Sequence, residues 1–332
     1  MSPVPAPMLA SPAGDLPPLA GWTIEPKWDG IRVIAEVTPK RVALWSRNGI
    51  NKAAQFPEVE EALRSLAARV GALVLDGELV AVDRTGKPLR FQALQARHLG
   101  VDVTRTAFVA FDCLAAVGED LTRLPWKDRR TVLEQVVPKA ARGVVRRGDS
   151  FRCGTAGAAR LFDAARREGW EGLILKRIDA PYLSGKRSPS WRKVKLEHEQ
   201  EFVIGGYTLP TDGADRDHFG ALLVGYYDDR GALHYAGKVG TGYTRATLAS
   251  LGRTLAALRQ RTSPFVDAPR RAEAIWVKPT LVAQVRYNEM TTDGVLRQPS
   301  FLGLRDDKNA RDVRLEVETS SHAILDTLRC AS

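Results

Sequence analysis

The chain has 332 residues, 44% of them hydrophobic and 27% charged, values typical of a folded protein long enough for two domains. Lysine and arginine outnumber aspartate and glutamate by 49 to 39, and the net charge of +10 favours a polyanionic partner such as nucleic acid. Cys113, Cys153 and Cys330 are too far apart for a zinc cluster and indicate reduced cytoplasmic thiols. The sequence shows no signal peptide and no apolar run of about 20 residues, which predicts a soluble protein.

The first half of the sequence alternates between strand-like and helix-like segments. Residues 1–20 are rich in proline and predict an extended lead-in. Pro57 opens a helix in which Val59, Leu63 and Leu66 share one face. Further helices are predicted near 127–137 and 155–168, and strands at 32–37, 42–46, 72–75, 79–82, 108–114, 173–176 and 192–196. Strands interleaved with helices indicate an α/β or α+β domain, which we assign as α+β over residues 21–197.

The pattern changes after Lys195. A polar run from Glu197 to Glu201 predicts a hinge. Strands are predicted at 202–207, 221–227, 233–239, 274–278 and 281–287, with a helix at 244–258 after the third. This order predicts an oligonucleotide/oligosaccharide-binding (OB) barrel over residues 198–316, followed by a helical or disordered tail at 317–332.

The most informative stretch runs from Glu25 to Arg32. Lys27 stands there between a proline and a tryptophan and is followed by Asp29-Gly30. A lysine amine becomes a nucleophile when burial or neighbouring cations lower its pKa, and its attack on the α-phosphate of ATP would form a phosphoramidate. An isolated Lys-x-Asp-Gly also fits a surface turn with a solvated lysine, so its meaning depends on the segments that follow.

Two carboxylates and one aromatic ring follow in order. Asp76-Gly77-Glu78 lies between two apolar segments, where glycine lets a carboxylate project from a bend, although a hairpin turn also fits. Phe111 lies on the strand face opposite Asp112 and is either a core residue or a platform for a base. Glu171 precedes the apolar strand at 173–176 and is presented at its edge.

Two lysines complete the set. Lys193 and Lys195 share one face of a strand. They repel each other unless an anion lies between them, and a triphosphate would serve, although a solvated basic edge is the alternative.

This ordered set resembles the nucleotidyltransferase motifs of ATP-dependent DNA ligases, from about Pro7 to Lys308. It is most similar to the ligase domain of the bacterial non-homologous end-joining ligase D and its stand-alone relatives. Segments 202–207, 219–223 and 235–242 resemble that family's barrel, and 305–308 resembles its terminal Arg-x-Asp-Lys motif. The resemblance implies a nucleotidyltransferase (ATP-grasp-like) adenylation domain followed by an OB-fold barrel.

The resemblance also implies a role for each residue, with Lys27 as the adenylated nucleophile. The groups that bind substrate are Glu25 at the adenine amino group, Phe111 at the purine face, Arg32 at a phosphate of the nick or of AMP, Arg47 at the 5′-phosphate strand, Lys193 and Lys195 at the α-phosphate, and Arg305 and Lys308 at the β- and γ-phosphates. Glu78 and Glu171 contact ribose or coordinate Mg²⁺ or Mn²⁺, which prefer oxygen ligands.

The implied reaction seals a nick between a 3′-hydroxyl and a 5′-phosphate. Lys27 attacks ATP, AMP then passes to the 5′-phosphate, and the 3′-hydroxyl displaces AMP. The barrel moves between the first step and the later ones, and the polar run at 197–201 is the hinge we expect.

Other functions share part of this pattern. An RNA ligase or an mRNA-capping guanylyltransferase has the same lysine, carboxylates and basic strand, and a non-catalytic DNA-end binder is a third alternative. A P-loop is excluded because Gly237-Lys238 is followed by Val239, and Gly240-Thr241-Gly242 lacks the third glycine of a dinucleotide fingerprint. The expected partner is nicked double-stranded DNA, with a Ku-type end-binding protein implied by the family. We expect a monomer at the bacterial nucleoid, with no membrane contact.

Overall fold

The computed structural model describes residues 6–13, 17, 19–91, 93–94, 105–140, 142–168, 170–196, 198–210, 219–268, 273–291 and 293–316. The chain divides into two compact units, one ending at Leu196 and the other running from Glu197 to Glu316. Within the described residues, no helix has both the length and the apolar character needed to cross a membrane. The predicted tail at 317–332 and Cys330 lie outside the described residues.

The first unit is built of strands and helices that alternate along the chain. Its strands are β1 (Leu9–Pro12), β2 (Trp22–Lys27), β3 (Ile31–Val37), β4 (Val42–Ser46), β5 (Leu73–Val82), β6 (Arg105–Ala116), β7 (Glu119–Asp120), β8 (Val145–Arg147), β9 (Gly172–Arg177) and β10 (Arg187–Lys195). Its helices are α1 (Pro57–Val70), α2 (Trp126–Val136) and α3 (Thr155–Glu168), with a 3-10 turn at Ala53–Gln55.

These strands form two sheets. One has four strands in the order β1-β10-β9-β2, and its pairs are antiparallel except that β1 runs parallel to β10. The other has the order β4-β3-β5-β6-β7, with β8 parallel to β6. Helix α1 buries Val59, Leu63 and Leu66 against the second sheet, as its periodicity predicts. Helix α3 buries Phe162 against Leu173 and Leu175 of the first sheet.

The lead-in is extended, as predicted, but it also belongs to a sheet. Leu9 pairs with Arg187 and Pro12 with Lys193, so β1 forms an edge of the first sheet. A proline is tolerated there because an edge strand need not donate every backbone hydrogen bond.

The Asp76-Gly77-Glu78 segment does not bend the chain, and the prediction of two short strands around it is wrong. β5 is continuous from Leu73 to Val82, with a register shift against β6 between Asp76 and Gly77. Glycine is required here for space, because a Cβ on Gly77 would lie 2.5 Å from two ring atoms of Phe108. Both carboxylates therefore project from a packed strand.

The second unit is mostly antiparallel β structure. Its strands are β11 (His198–Thr208), β12 (Ala221–Tyr227), β13 (Leu233–Val239), β14 (Arg259–Gln260), β15 (Ala274–Tyr287), β16 (Glu289–Met290), β17 (Leu296–Arg297) and β18 (Ser300–Leu304). Helix α4 (Arg245–Ala257) follows β13, and the Thr244 side chain caps it by accepting a hydrogen bond from the Thr247 backbone. A 3-10 turn lies at Ala310–Asp312.

The main sheet of this unit closes on itself. Its order is β13-β12-β11-β15-β14, and β18 also pairs with β15. At the start of β18, Ser300 forms a parallel bridge with Thr241, and the Phe301 backbone N–H donates to the Thr241 carbonyl at 2.9 Å. Since Thr241 lies two residues after the end of β13, the strand path returns to its beginning and completes the OB barrel. Helix α4 packs Leu251 and Leu255 into the barrel core.

The barrel differs from the prediction at two places. The segments at 274–278 and 281–287 form the single strand β15, and the register shift opposite Ile204 to Gly206 accommodates Pro279. The remaining barrel strand is β18, which the sequence analysis did not predict.

The segment predicted to be a hinge, residues 197–201, is mostly β-strand in the structure. Residues 198–201 form the start of β11 and pair with β15, and Glu199 and Gln200 are buried there. Glu197 lies outside the described residues. Most of the polar run is therefore part of the barrel, and it is not a free linker.

Substituting alanine for Gly77 is expected to lower the free energy of unfolding by about 1–3 kcal/mol, because the added methyl overpacks a filled sheet. The Cβ would also lie 2.7 Å from the Val109 carbonyl oxygen. Urea denaturation followed by circular dichroism measures the loss. The matched control is Gly154→Ala, because within the described chain no heavy atom lies within 4 Å of that Cβ. A loss there of more than about 0.5 kcal/mol, or equal losses in both variants, would contradict the packing argument.

Candidate active site

Lys27 ends β2 beside the start of β9. It pairs in register with Gly172, and its Nζ forms an ion pair with the carboxylate of Glu171. The Glu171 side chain is buried, whereas that of Lys27 is 22% exposed, so the lysine can be reached from outside. Asp29, which lies between β2 and β3, accepts a hydrogen bond from the Phe91 backbone N–H at 3.0 Å.

The pKa of Lys27 is raised, whereas a nucleophilic lysine is expected to have a lowered pKa. Burial is the largest influence on the pKa of Lys27 and acts to lower it, but the charge and hydrogen bond of Glu171 raise the pKa above its ordinary value. Lys195 opposes this effect and acts to lower the pKa of Lys27. The resting side chain is therefore an ammonium ion, and it must lose a proton before it can attack. Glu171 is in position to accept that proton.

A second buried ion pair lies on the same two strands. Lys176 of β9 contacts Glu25 of β2 at 2.7 Å, and both side chains are almost fully buried. Burial raises the pKa of Glu25 despite Lys176, and burial lowers the pKa of Lys176 despite Glu25. The Glu25 Oε2 atom makes this contact, while its Oε1 is buried with no hydrogen-bond partner among the described residues. That oxygen is a free acceptor.

Aromatic rings surround Lys176. Its Nζ lies 4.6 Å from the ring centre of Phe111 and 4.3 Å from that of Trp191, and it donates a hydrogen bond to the Phe111 carbonyl at 3.1 Å. The two rings meet edge to face at 6.3 Å. Phe111 is half-buried and contacts Lys176, which is the ion-pair partner of Glu25.

Arg32 is held by a carboxylate of β5. Its Nε and Nη2 donate to Asp76 at 3.0 and 2.6 Å, and its guanidinium lies 5.4 Å from the Phe111 ring and 5.5 Å from the Trp191 ring. Burial disfavours the charge, but Asp76 outweighs it and raises the pKa of Arg32. Glu78 pairs with Arg32 in register. Gly30 permits close approach of the backbone to β5, since a Cβ there would lie 2.0 Å from the Leu79 carbonyl oxygen and 3.1 Å from Glu78 Cγ.

The two lysines of β10 lie where the sequence predicts. Lys193 and Lys195 are half-buried and flank the buried Val194, which places both on one face of the strand. Lys195 pairs in register with Gly172, next to Glu171. Lys27, Glu171 and Lys195 therefore form one group.

The other predicted residues lie on other elements of the chain. Arg47 is exposed in the turn that follows β4. Arg305 and Lys308 belong to the second unit and follow β18. Arg305 donates to both oxygens of Asp307 at 2.8 Å, and Lys308 lies 3.0 Å from Glu201.

Four residues of this region were missed as site residues by the sequence analysis. They are Asp76, Lys176, Tyr182 and Trp191, which hold Arg32, Glu25 and Phe111 in place. A usable signal existed for Lys176, because a lysine inside an apolar strand must find a buried partner. Tyr182 and Trp191 carried no comparable signal.

The carboxylates fit a divalent ion that also binds phosphate. Within the described residues, no three histidine, cysteine, aspartate or glutamate side chains form a cage for a metal. Glu171 lies at Lys27, and Glu78 lies beside Arg32. Mg²⁺ is commonly held by one or two carboxylates together with substrate phosphates and water, so each of these carboxylates is a donor of the kind that suits it.

Comparisons with known proteins identify the family of this chain. The ATP dependent DNA ligase domain matches residues 7–195, and the ATP dependent DNA ligase C terminal region matches residues 215–308. Both family models describe DNA ligases, which does not favour an RNA ligase or a capping enzyme.

Curated relatives give the same family. The multifunctional non-homologous end joining DNA repair protein LigD of Mycobacterium tuberculosis is 41% identical over 298 residues, covering 88% of this chain and 37% of that protein. The LigD of Pseudomonas aeruginosa is 39% identical over 314 residues, covering 93% of this chain and 36% of that protein. The chain thus spans little more than a third of these relatives.

A solved structure supports the fold. Mycobacterial DNA ligase D complexed with ATP and MES superposes with a TM-score of 0.67 at 38% identity, covering 94% of this chain and 98% of that one. An adenylation domain and an OB-fold domain are thereby identified in sequence and in structure. This chain belongs to the ATP-dependent DNA ligases.

Proposed function

We propose that this chain seals nicks in double-stranded DNA through a lysyl-AMP on Lys27 and a DNA-adenylate. The observation that carries the proposal is the group at the end of β2, where a reachable lysine meets the buried carboxylate of Glu171. Lys195 lies close enough to influence the same lysine, so a phosphate arriving there would meet two cations.

The first step is adenylation of Lys27. Glu171 accepts a proton from the ammonium group, and the amine then attacks the α-phosphorus of ATP. A nitrogen–phosphorus bond forms while the bond to pyrophosphate breaks, and a second proton passes from the nitrogen to water as the phosphoramidate forms. Lys193 and Lys195 stabilise the negative charge that develops on the α-phosphate.

Recognition of adenine falls to Glu25 and Phe111. The unpartnered Oε1 of Glu25 accepts a hydrogen bond from the adenine amino group, and the Phe111 ring lies against the purine. Guanine presents a carbonyl oxygen at the corresponding position, which repels a carboxylate. We therefore expect ATP to be preferred over GTP.

The later steps use the remaining cations. AMP passes from Lys27 to the 5′-phosphate of the nick, and the 3′-hydroxyl then displaces AMP. Arg32 binds a phosphate of the nick or of AMP, and Arg47 positions the 5′-phosphate strand. Arg305 and Lys308 act earlier, on the β- and γ-phosphates of ATP. Glu78 and Glu171 would hold Mg²⁺ or Mn²⁺, which neutralises phosphate charge when bound.

The biological setting we infer is repair of double-strand breaks by end joining. The names of the two LigD relatives support this setting, although each is much longer than this chain. A monomer acting at the bacterial nucleoid, with a Ku-type end-binding protein as partner, fits the same setting.

Replacing Lys27 with alanine is expected to abolish adenylation and to lower nick sealing by about a thousandfold or more, because no other group forms the phosphoramidate. Intact mass spectrometry after incubation with ATP and Mg²⁺ measures the AMP adduct, and pyrophosphate should remove it. The control is Lys40→Ala, which changes an exposed lysine between β3 and β4. An AMP adduct in the Lys27 variant would contradict the assignment.

The rate of adenylation should rise with pH, because the pKa of Lys27 is raised and its free amine is the reacting form. Glu171→Gln removes the group that raises this pKa, so the midpoint of the rise should move to lower pH, even as the maximum rate falls. Labelled ATP followed across the alkaline range measures the profile. Glu168→Gln, a surface carboxylate paired with Lys87, should leave the midpoint unchanged. An unmoved midpoint in the Glu171 variant would argue against the pairing.

Affinity for nicked duplex should depend strongly on salt, because the net charge of +10 acts on phosphates and releases counterions. We expect the dissociation constant to rise at least about tenfold between roughly 50 and 200 mM salt. Fluorescence anisotropy with a nicked oligonucleotide measures it. Constant affinity over this range would indicate that phosphate contacts contribute little.

A further inference from the structure

Tyr182 makes a buried hydrogen-bond chain that the proposed mechanism does not yet use. It lies between β9 and β10 and is 4% exposed. Its Oη donates to Asp76 Oδ2 at 2.7 Å, and it accepts a hydrogen bond from the Met8 backbone N–H at 2.8 Å. The three residues come from distant parts of the first unit.

The Met8 backbone N–H fixes the direction of these hydrogen bonds. A backbone N–H can only donate, so the phenol oxygen must accept from Met8. Its own proton is then directed to Asp76. Burial and the charge of Asp76 raise the pKa of Tyr182 well above its ordinary value, which keeps that proton in place. Asp76 therefore has a permanent donor on one side.

The other side of Asp76 holds Arg32. Oδ1 accepts from Nε at 3.0 Å, and Oδ2 accepts from Nη2 at 2.6 Å. Oδ2 thus receives both Tyr182 and Arg32, so the phenol limits how the carboxylate can rotate. The edge of the Tyr182 ring also packs against Trp191, with centroids 5.8 Å apart, and the Arg32 guanidinium lies against the same indole.

We propose that Tyr182 is a positioning residue, which orients Arg32 toward a substrate phosphate through Asp76 and Trp191. This inference rests on the proposed function, in which Arg32 binds a phosphate of the nick or of AMP. It adds the backbone N–H of Met8, the residue just before β1, to the groups that organise the active site. Tyr182 does not touch substrate and does not react.

The test is a double-mutant cycle with Tyr182→Phe and Arg32→Ala. Phenylalanine keeps the ring against Trp191 and removes only the hydroxyl. Single-turnover sealing of a pre-adenylated nick should slow about tenfold in Tyr182→Phe, the size expected for a hydrogen bond to a charged group. In the Arg32→Ala background, the same substitution should cause no further loss, because its effect passes through Arg32.

Tyr243→Phe is the matched control, since it removes a buried phenol that donates to the Val239 carbonyl at 2.8 Å in the other unit. It should seal at the wild-type rate. Thermal melting by circular dichroism confirms that each variant is folded, and assays are run well below the lowest melting temperature. A wild-type sealing rate in Tyr182→Phe, or an equal loss in both backgrounds, would overturn the inference. If the wild-type chain formed no lysyl-AMP and sealed no nicks, the proposed function itself would fail.

Discussion

A cation removed from water needs a carboxylate beside it, and this requirement organises the interior of the first unit. Lys27 meets Glu171, Lys176 meets Glu25, and Arg32 meets Asp76. The sheets bring these partners together, because β2 pairs with β9 while β3 pairs with β5. Each strand pair therefore joins a cation on one strand to an anion on the neighbouring strand or directly beside it.

Such pairs prepare the site for phosphate. A phosphate group can take the place of a carboxylate as the counter-charge of a lysine or arginine, and the released carboxylate is then free to accept a proton or to bind a metal ion. Glu171 illustrates both possibilities, because it holds the Lys27 ammonium in the resting chain. The deeper pair of Lys176 and Glu25 is nearly inaccessible, so it keeps its own partner and offers only the spare Oε1 atom. Exposure thus distinguishes the pair that we propose reacts with ATP from the pair that we propose binds adenine.

The sequence predicted the features that depend on local pattern. The helix from Pro57 and the strands at 42–46, 221–227 and 233–239 follow from neighbours in the chain, whereas strand β2, which ends at Lys27, was not predicted. The sequence analysis failed where a residue far away in the sequence determines the local conformation. Gly77 suggested a bend because the ring of Phe108 that needs its space is more than 30 residues away. Pro279 suggested a break, whereas a bulge in β15 accommodates it. Tyr182 and Asp76 were unpredictable partners for the same reason. The roles of the individual site residues in catalysis stay predictions.

The parallel pairing of β1 with β10 has a consequence for biosynthesis. Leu9 is synthesised 178 residues before its partner Arg187. A nascent chain therefore carries an unpaired edge strand for most of the time that the ribosome takes to complete the first unit. Contacts of such long range slow folding and prolong the exposure of strand edges to other chains. A chain arrested during translation anywhere before β10 lacks that partner and cannot complete the sheet that presents Lys27, so incomplete products lack a finished active site.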